Sequence, residues 1–285
     1  MEYLKESISV KGRAIARFWP YLFLVIFIVM AIFSPWISPF DPDRQHLLAR
    51  LKPPGFEVSG GVFWLGSDEL GRDVLSRVIY GARISVSVAF LSVIFSGVAG
   101  TALGMLAGHH RGWFEQILMR LVDVFLSIPA ILLAILLVAI LGPGIVNVIL
   151  VLSLSRWPRY ARVAHAQTLS LANREFVVIS NAMGATTLHV LRTHIFPNIF
   201  NQILVIATLE FGLMVLFEAG LSFLGLGVQP PAASWGSMLS TGRNYVSTAW
   251  WISTFPGVGL FILVLSANTI GERVGGLPKY GGTES

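Results

Sequence analysis

The sequence predicts an all-α polytopic membrane protein with six transmembrane helices, and three features of it do so. Of its 285 residues 54% are hydrophobic and only 12% charged, where a soluble domain carries about 25% charged residues. The apolar residues come in long uninterrupted blocks, each near the roughly 20 residues that a helix needs to cross the core of a bilayer. Short turns separate the blocks, and no stretch is large and polar enough for a sizeable soluble domain. The mean hydropathy of +0.73 agrees.

The first block, Phe18–Ile37, is uncharged throughout. Lys5, Lys11, Arg13 and Arg17 precede it, and Trp19, Tyr21 and Trp36 sit near its ends, as interface anchors do. No small-residue cleavage site follows it before Pro35 and Pro39, so it is expected to stay as a span rather than leave as a signal peptide. Residues 38–83 read as a polar loop ending in a short helix, Arg72–Arg83. Ile84–Ala107 is the second span; its Gly100, Gly104 and Gly108, with Gly97 nearby, follow the small-xxx-small spacing that lets helix backbones approach closely. His109–Gly112 is a tight turn, and Asp123 opens a third apolar run, Val124–Gly144, with Pro129 inside it. A fourth span starts at Ile145 and meets Arg156, Arg159 and Arg162 at its far end, read as topology determinants. The fifth, Asn198–Leu226, holds Glu210 and Glu218; the sixth, Ile252–Ile270, has Trp250 and Trp251 at its entrance and Pro256 inside. The expected organisation is residues 1–83 as an N-terminal segment, span and loop, 84–275 as a five-helix core with an embedded loop at about 173–197, and 276–285 as a tail.

Six spans place both termini on one side. With the N-terminus inside, the inner segments hold thirteen Lys and Arg against seven outside, six of those seven in the long 38–83 loop, which also carries six acids. Long loops count little toward orientation, so the bias predicts cytoplasmic termini. The net charge of +5 is then read as basic cytoplasmic loops rather than a nucleic-acid surface. The absence of cysteine excludes disulfides and thiolate chemistry. His109 and His110 lack a third ligand nearby, so no metal site is expected. No Gly-x-x-x-x-Gly-Lys-Ser/Thr sequence occurs, and no Ser–His–Asp set is suggested by position, so the chain is expected to be no enzyme and to bind no nucleotide itself.

The residues that suggest a role lie between spans four and five. Phe176 to Pro197 read as two short helices broken at Gly184, the second stopped by Pro197, which also suits the first turn of the next helix. Such a pair either fills a groove on a partner or is an ordinary connection. Glu210 and Glu218 are eight residues apart, on roughly one helix face. They either line a pore or pair internally with a neighbouring helix, since ionisable groups at membrane depth face a bundle interior or water. Arg72, Asp73, Arg77 and Arg83 either dock an external partner or form an ion-paired cap at the membrane surface.

The 176–197 stretch resembles the signature loop of permease subunits from binding-protein-dependent ABC importers, which reads Glu-Ala-Ala, three residues, Gly, nine residues, Ile-x-Leu-Pro. Gly184 and Pro197 hold the matching positions; Val178-Ile-Ser180 stands for Glu-Ala-Ala, His194 for Ile and Phe196 for Leu. Leu65-Gly-Ser-Asp68-Glu-Leu-Gly71-Arg72-Asp73, Tyr80-Gly81-Ala82-Arg83, Ala219-Gly-Leu-Ser-Phe-Leu-Gly-Leu-Gly227, Gln229-Pro-Pro231, Ser234-Trp235-Gly236 and Thr254-Phe-Pro256-Gly257 are similar to the second permease of the dipeptide, oligopeptide and nickel branch. Asn268 and Gly271 match near the end, whereas Glu272 to Lys279 departs from that branch's Arg-Asp-x-Leu-Asp-Pro ending.

The resemblance implies a type I ABC importer transmembrane domain in a bacterial or archaeal cytoplasmic membrane, translocating di- or oligopeptides. It implies a second homologous permease, two cytoplasmic ABC ATPase subunits holding ATP and Mg, and an extracytoplasmic solute-binding protein. Val178, Ile179, Ser180, Asn181, Ala182, Met183, Gly184, Ala185, Thr186 and Pro197 would form the loop that couples to an ATPase. Nickel chelates, glutathione or opines are alternative cargoes for the same architecture. A self-sufficient channel or secondary transporter is the alternative of another class, which would show inverted repeats and need no groove-filling loop.

Overall fold

A computed structural model describes residues 2–276, with side chains from Phe18 onward. The N-terminal basic cluster Lys5 to Arg17 and the tail after Gly276 lie outside the described side chains. The expected spans all fall on helices: α1 (Glu2–Ile37), α2 (Val74–His110), α3 (Trp113–Ser127), α4 (Ala130–Leu141), α5 (Ile145–Ala172), α8 (Phe196–Phe223) and α10 (Trp251–Val274), with the shorter α6 (Glu175–Ala182), α7 (Thr187–Val190) and α9 (Trp235–Gly242) between them.

Three elements differ from expectation. Residues 38–73 contain a hairpin, β1 (Phe56–Val58) against β2 (Gly61–Phe63), with Phe56 opposite Phe63. The expected short helix Arg72–Arg83 and the second span are one helix: α2 starts after Asp73, and Arg83 is simply an exposed position on it. The third span is broken: α3 and α4 meet at 94°. Pro129 disfavours helical backbone at the residue before it, and Ile128 is extended there (φ −96°, ψ 130°).

Four described helices are long and apolar enough to cross a membrane, and the bent α3–α4 pair makes up to five. The six expected spans are thus not all matched by that measure; α5 is long enough, but Arg156, Arg159 and Arg162 interrupt its apolar run.

The chain forms two compact units, one of residues up to Ser87 plus Glu218–Ile270, the other of Val88–Phe217 plus the described residues from Gly271. In the first, Trp235 is the largest fully buried side chain. Its indole N–H donates to the Val78 carbonyl oxygen (2.9 Å) on α2. Its ring meets Phe27 of α1 edge-on at 5.4 Å between centroids. A Cβ on Gly81 would come within 2.8 Å of the same indole, so glycine is what lets α2 close on it. Ser234 caps α9 in a reciprocal box with Ser237, which orients the tryptophan beside it.

In the second unit, the glycine ridge of α2 packs on α5, as its spacing predicted. A Cβ on Gly100 would lie 2.3 Å from the Trp157 carbonyl oxygen, and one on Gly104 2.3 Å from that of Ala161. Both obstacles are backbone and cannot swing aside. Gly104→Val is therefore expected to destabilise this contact by about 1–3 kcal/mol, the usual range for overpacking. The check is its unfolding midpoint in detergent, with Gly220→Ala as a comparison, since nothing lies within 4 Å of a Cβ there and its backbone is helical.

Candidate functional site

The loop between α5 and α8 is built to be fixed on one side and open on the other. In α6 adjacent valines point opposite ways. Val177 is fully buried with Ala164, Val190, Leu191, Ile195 and Ile199, whereas Val178 is exposed. Ile179 (58% exposed) and Met183 (83% exposed) continue the open face. Apolar side chains on a well-anchored helix, uncovered by the rest of the chain, mark an interaction surface.

Gly184 ends α6 with φ +84°. Ala185 N–H donates to the Ser180 carbonyl oxygen (3.1 Å) and Gly184 N–H to that of Asn181 (3.0 Å). This is the Schellman arrangement, which favours glycine at the left-handed position. Thr186 then caps α7 through its side-chain oxygen, which accepts from the His189 N–H. One turn of wider π-helix, Leu191–Ile195, leads into α8, and Pro197 sits in its first turn, where a missing N–H costs nothing. Between α6 and α7 lies an open groove of about 750 Å³, lined by Ile179, Met183, Gly184, His189 and His194 among others.

The structure brings Glu210 and Arg156 together, a pairing that the sequence reading missed by assigning the arginine to topology. Arg156 Nε and Nη2 each donate to Glu210 at 2.6 Å, Nε to Oε2 and Nη2 to Oε1. Arg159 Nη1 lies 3.3 Å from Oε1. The Arg156 guanidinium also stacks over Phe217, 5.5 Å from its ring centroid. Glu210 is the fifteenth residue of 28 in α8 and Arg159 the fifteenth of 28 in α5, so both stand mid-helix. The available signal was that an acid in the middle of one apolar helix needs a partner in another.

Glu218 has neutral partners. The hydroxyls of Ser85 and Ser222 each donate to it at 2.7 Å, and it is fully buried. Of the two readings open for Glu210 and Glu218, this geometry supports internal pairing over an open pore wall.

Arg72, Asp73 and Arg77, for which docking of a partner and an ion-paired cap were both open, are buried. Arg72 Nε donates to Asp68 Oδ2 at 2.6 Å and Nη2 to Glu69 Oε1 at 3.1 Å. Arg77 Nη1 donates to the Pro42 carbonyl oxygen at 3.2 Å and lies 3.7 Å from Asp43 Oδ1. Asp73 caps α2, accepting from the Ser76 N–H (2.8 Å) and hydroxyl (2.7 Å). Side chains committed inward in this way shape the loop and offer little outward. Among the described residues no group of three or more His, Cys, Asp or Glu could hold a metal ion.

The family described as "Binding-protein-dependent transport system inner membrane component" matches residues 100–276, and "N-terminal TM domain of oligopeptide transport permease C" matches residues 21–54. The di/tripeptide transport system permease protein DppC of Pseudomonas aeruginosa is 41% identical over 252 residues, covering 88% of this chain and 83% of that protein. The dipeptide transport system permease protein DppC of Escherichia coli is 40% identical, covering 93% of each. The probable D,D-dipeptide transport system permease protein DdpC of Escherichia coli is 38% identical, covering 92% and 87%. Among solved structures, an inward-facing conformation of the MetNI methionine ABC transporter matches with a TM-score of 0.58 at 23% identity, covering 70% of this chain and 95% of the matched one. That likeness shows the fold.

Glu210→Leu is expected to destabilise the second unit by about 3–5 kcal/mol, because it leaves two guanidinium groups without a counter-charge. Arg156→Leu should destabilise it less, since Arg159 remains within reach of the carboxylate. Thermal midpoints in detergent test the order, and the reverse order would contradict this pairing.

A pH dependence follows for the α2 cap. Burial pushes the Asp73 carboxyl above its ordinary value, against the Ser76 bonds that lower it. A raised folded-state value means that the folded state holds the proton more tightly. Its contribution to stability is full below the ordinary carboxylate range and is lost as pH rises through the folded value. Asp73→Asn, which keeps an acceptor for Ser76, should flatten that decline and melt at or above the parent near neutral pH; a variant melting well below the parent there would contradict it.

Proposed function

The chain belongs to the binding-protein-dependent transport system inner membrane component family, and on that footing we propose that it is one half of the membrane pore of an ATP-driven importer of di- or oligopeptides. The substrate class rests on the relatives, whose names specify dipeptide, di/tripeptide and D,D-dipeptide transport. The second half of the pore is a related permease, energy comes from two ATPase subunits that bind ATP and Mg, and an external binding protein delivers the peptide. The membrane is the cytoplasmic one, with both termini inside, as the distribution of Lys and Arg supports.

The observation that carries the coupling assignment is the division of α6 into a buried Val177 and an exposed Val178, Ile179 and Met183. A helix held by its own domain and open on its outer face can transmit force in both directions. Closure of the ATPase pair pulls on that face, and the clamp formed by Val177, Val190 and Ile195 passes the displacement to α5 and α8. Alternating access then requires that the ATPase contact differ between two states of the pore. In the loop that meets the binding protein, the network of Arg72, Asp73 and Arg77 holds the shape.

Purification in mild detergent from native cells should bring down a second permease and ATPase subunits with this chain. Ile179→Asp combined with Met183→Asp should leave the second permease and lose the ATPases. Gly184→Trp should abolish peptide uptake while the protein stays inserted, because φ +84° strains any side chain and the indole would occupy the groove. Normal uptake by a fully inserted Gly184→Trp variant would overturn the coupling assignment.

A further inference from the structure

The ion cluster of α5 and α8 does not cancel. Arg156 and Arg159 carry two positive charges against the single negative charge of Glu210. Arg156 already engages both carboxylate oxygens at 2.6 Å and is largely buried. Arg159 reaches the same carboxylate with Nη1 alone, at 3.3 Å, and its side chain is 51% exposed. Among the described residues Glu210 is the one carboxylate in ion-pair range of Arg159. The result is a guanidinium tethered at one nitrogen, with its remaining N–H donors open, in the middle of a 28-residue helix.

What it faces follows from the face it occupies. The exposed positions of α5 fall on two sides of the helix, Val146, Leu150 and Leu154 on one and Arg159, Arg162 and Ala166 on the other. Arg162 is paired with Asp123, which leaves Arg159 as the uncompensated charge on that side. A surplus charge in lipid is costly, and such groups face a protein interior or a water-filled cavity. A tight contact with the second permease would bury the surplus charge at a cost unless an anion of that subunit met it. The remaining surroundings are water, at the cytoplasmic end of the path between the subunits, where the arginines of α5 lie.

We infer that Arg159, tethered by Glu210, is a carboxylate-recognising point on the translocation path, reading the C-terminal carboxylate of the peptide as it passes. This rests on the peptide-importer reading above. A guanidinium offers two parallel donors to a carboxylate, the geometry for which arginine is preferred over lysine. The single 3.3 Å tether to Glu210 keeps the group placed without using those donors. The site is partly wet, so the contact is weak enough to release, as passage requires.

The test uses the whole complex with its binding protein, in proteoliposomes, measuring uptake of a labelled dipeptide per ATP hydrolysed. Wild type must first show ATP-driven uptake; its absence in an assembled complex would sink the importer reading itself, and this inference with it. Given wild-type uptake, Arg159→Gln should lower peptide moved per ATP by about tenfold, the scale of one charge-assisted contact. Arg159→Lys should recover part of that loss. A C-amidated dipeptide, corrected for its separately measured affinity for the isolated binding protein, should be moved poorly by wild type and no worse by Arg159→Gln. Equal coupling ratios for wild type and Arg159→Gln with the free-carboxylate dipeptide would overturn the inference. So would loss of the second permease from the Arg159→Gln complex, which would make Arg159 a subunit bridge. Recovery of coupling by added anionic lipid would make it a lipid contact, and overturn the inference equally.

Discussion

A carboxylate closed between helices cannot borrow hydrogen bonds from water, and Glu210 imposes that condition on the second unit. Its two oxygens draw Arg156 inward and hold Arg159 at the rim, which fixes the rotation of α5 against α8. With that rotation set, Trp157 and Ala161 face the glycine ridge of α2, where only hydrogen atoms fit against their carbonyl oxygens. In a membrane there is no hydrophobic drive between apolar helices, so close packing and polar pairing must supply the association. This unit uses both on the same helix, and a change in either would be felt by the other.

The same helix supports the exposed loop. Ala164 on α5 belongs to the cluster that buries Val177, Val190 and Ile195. The anchoring of the loop and the ion cluster therefore lie within three turns of one another on α5, Arg156 to Ala164. A displacement at the open face of α6 reaches the charged mid-helix region through side chains already packed together rather than through a flexible tether. That proximity is what a coupling element needs, since a loose connection would absorb the motion.

Much of this was legible in the sequence, and the misses have physical causes. Gly184 and Pro197 were found because a left-handed turn and a first helical turn each restrict residue type strongly. The glycine ridge was found because spacing alone specifies close approach. The unbroken α2 was missed because the polar residues up to Arg83 were read as a boundary, although a charge on an exposed position does not stop a helix. Pro129 was noted but its consequence was not drawn, since a proline inside an apolar run is compatible with either a kink or a break. Docking and an ion-paired cap stayed equally open for Arg72 and Arg77 because charge alone does not say whether its counter-charge lies on the same loop; Asp68, Glu69 and Asp43 supply it. Trp235 could not be placed at the centre of the first unit, because burial of an aromatic ring depends on which glycines, here Gly81, come to face it.

The two buried acids show how differently the same group can be accommodated. Glu218 is surrounded by hydroxyl donors from Ser85 and Ser222, which satisfy it and bring no charge of their own. Glu210 is surrounded by guanidinium groups, which satisfy it and leave one positive charge over. A carboxylate held by hydroxyls is complete within the chain. One held by two arginines is over-complemented, and the excess sits on the more exposed of the two. For burial alone the serine solution suffices, so the arginine solution is the one that asks for a further anion. In a protein that moves peptides, whose C-terminal carboxylates are ionised at neutral pH, the cargo itself carries a carboxylate that visits the path and then leaves.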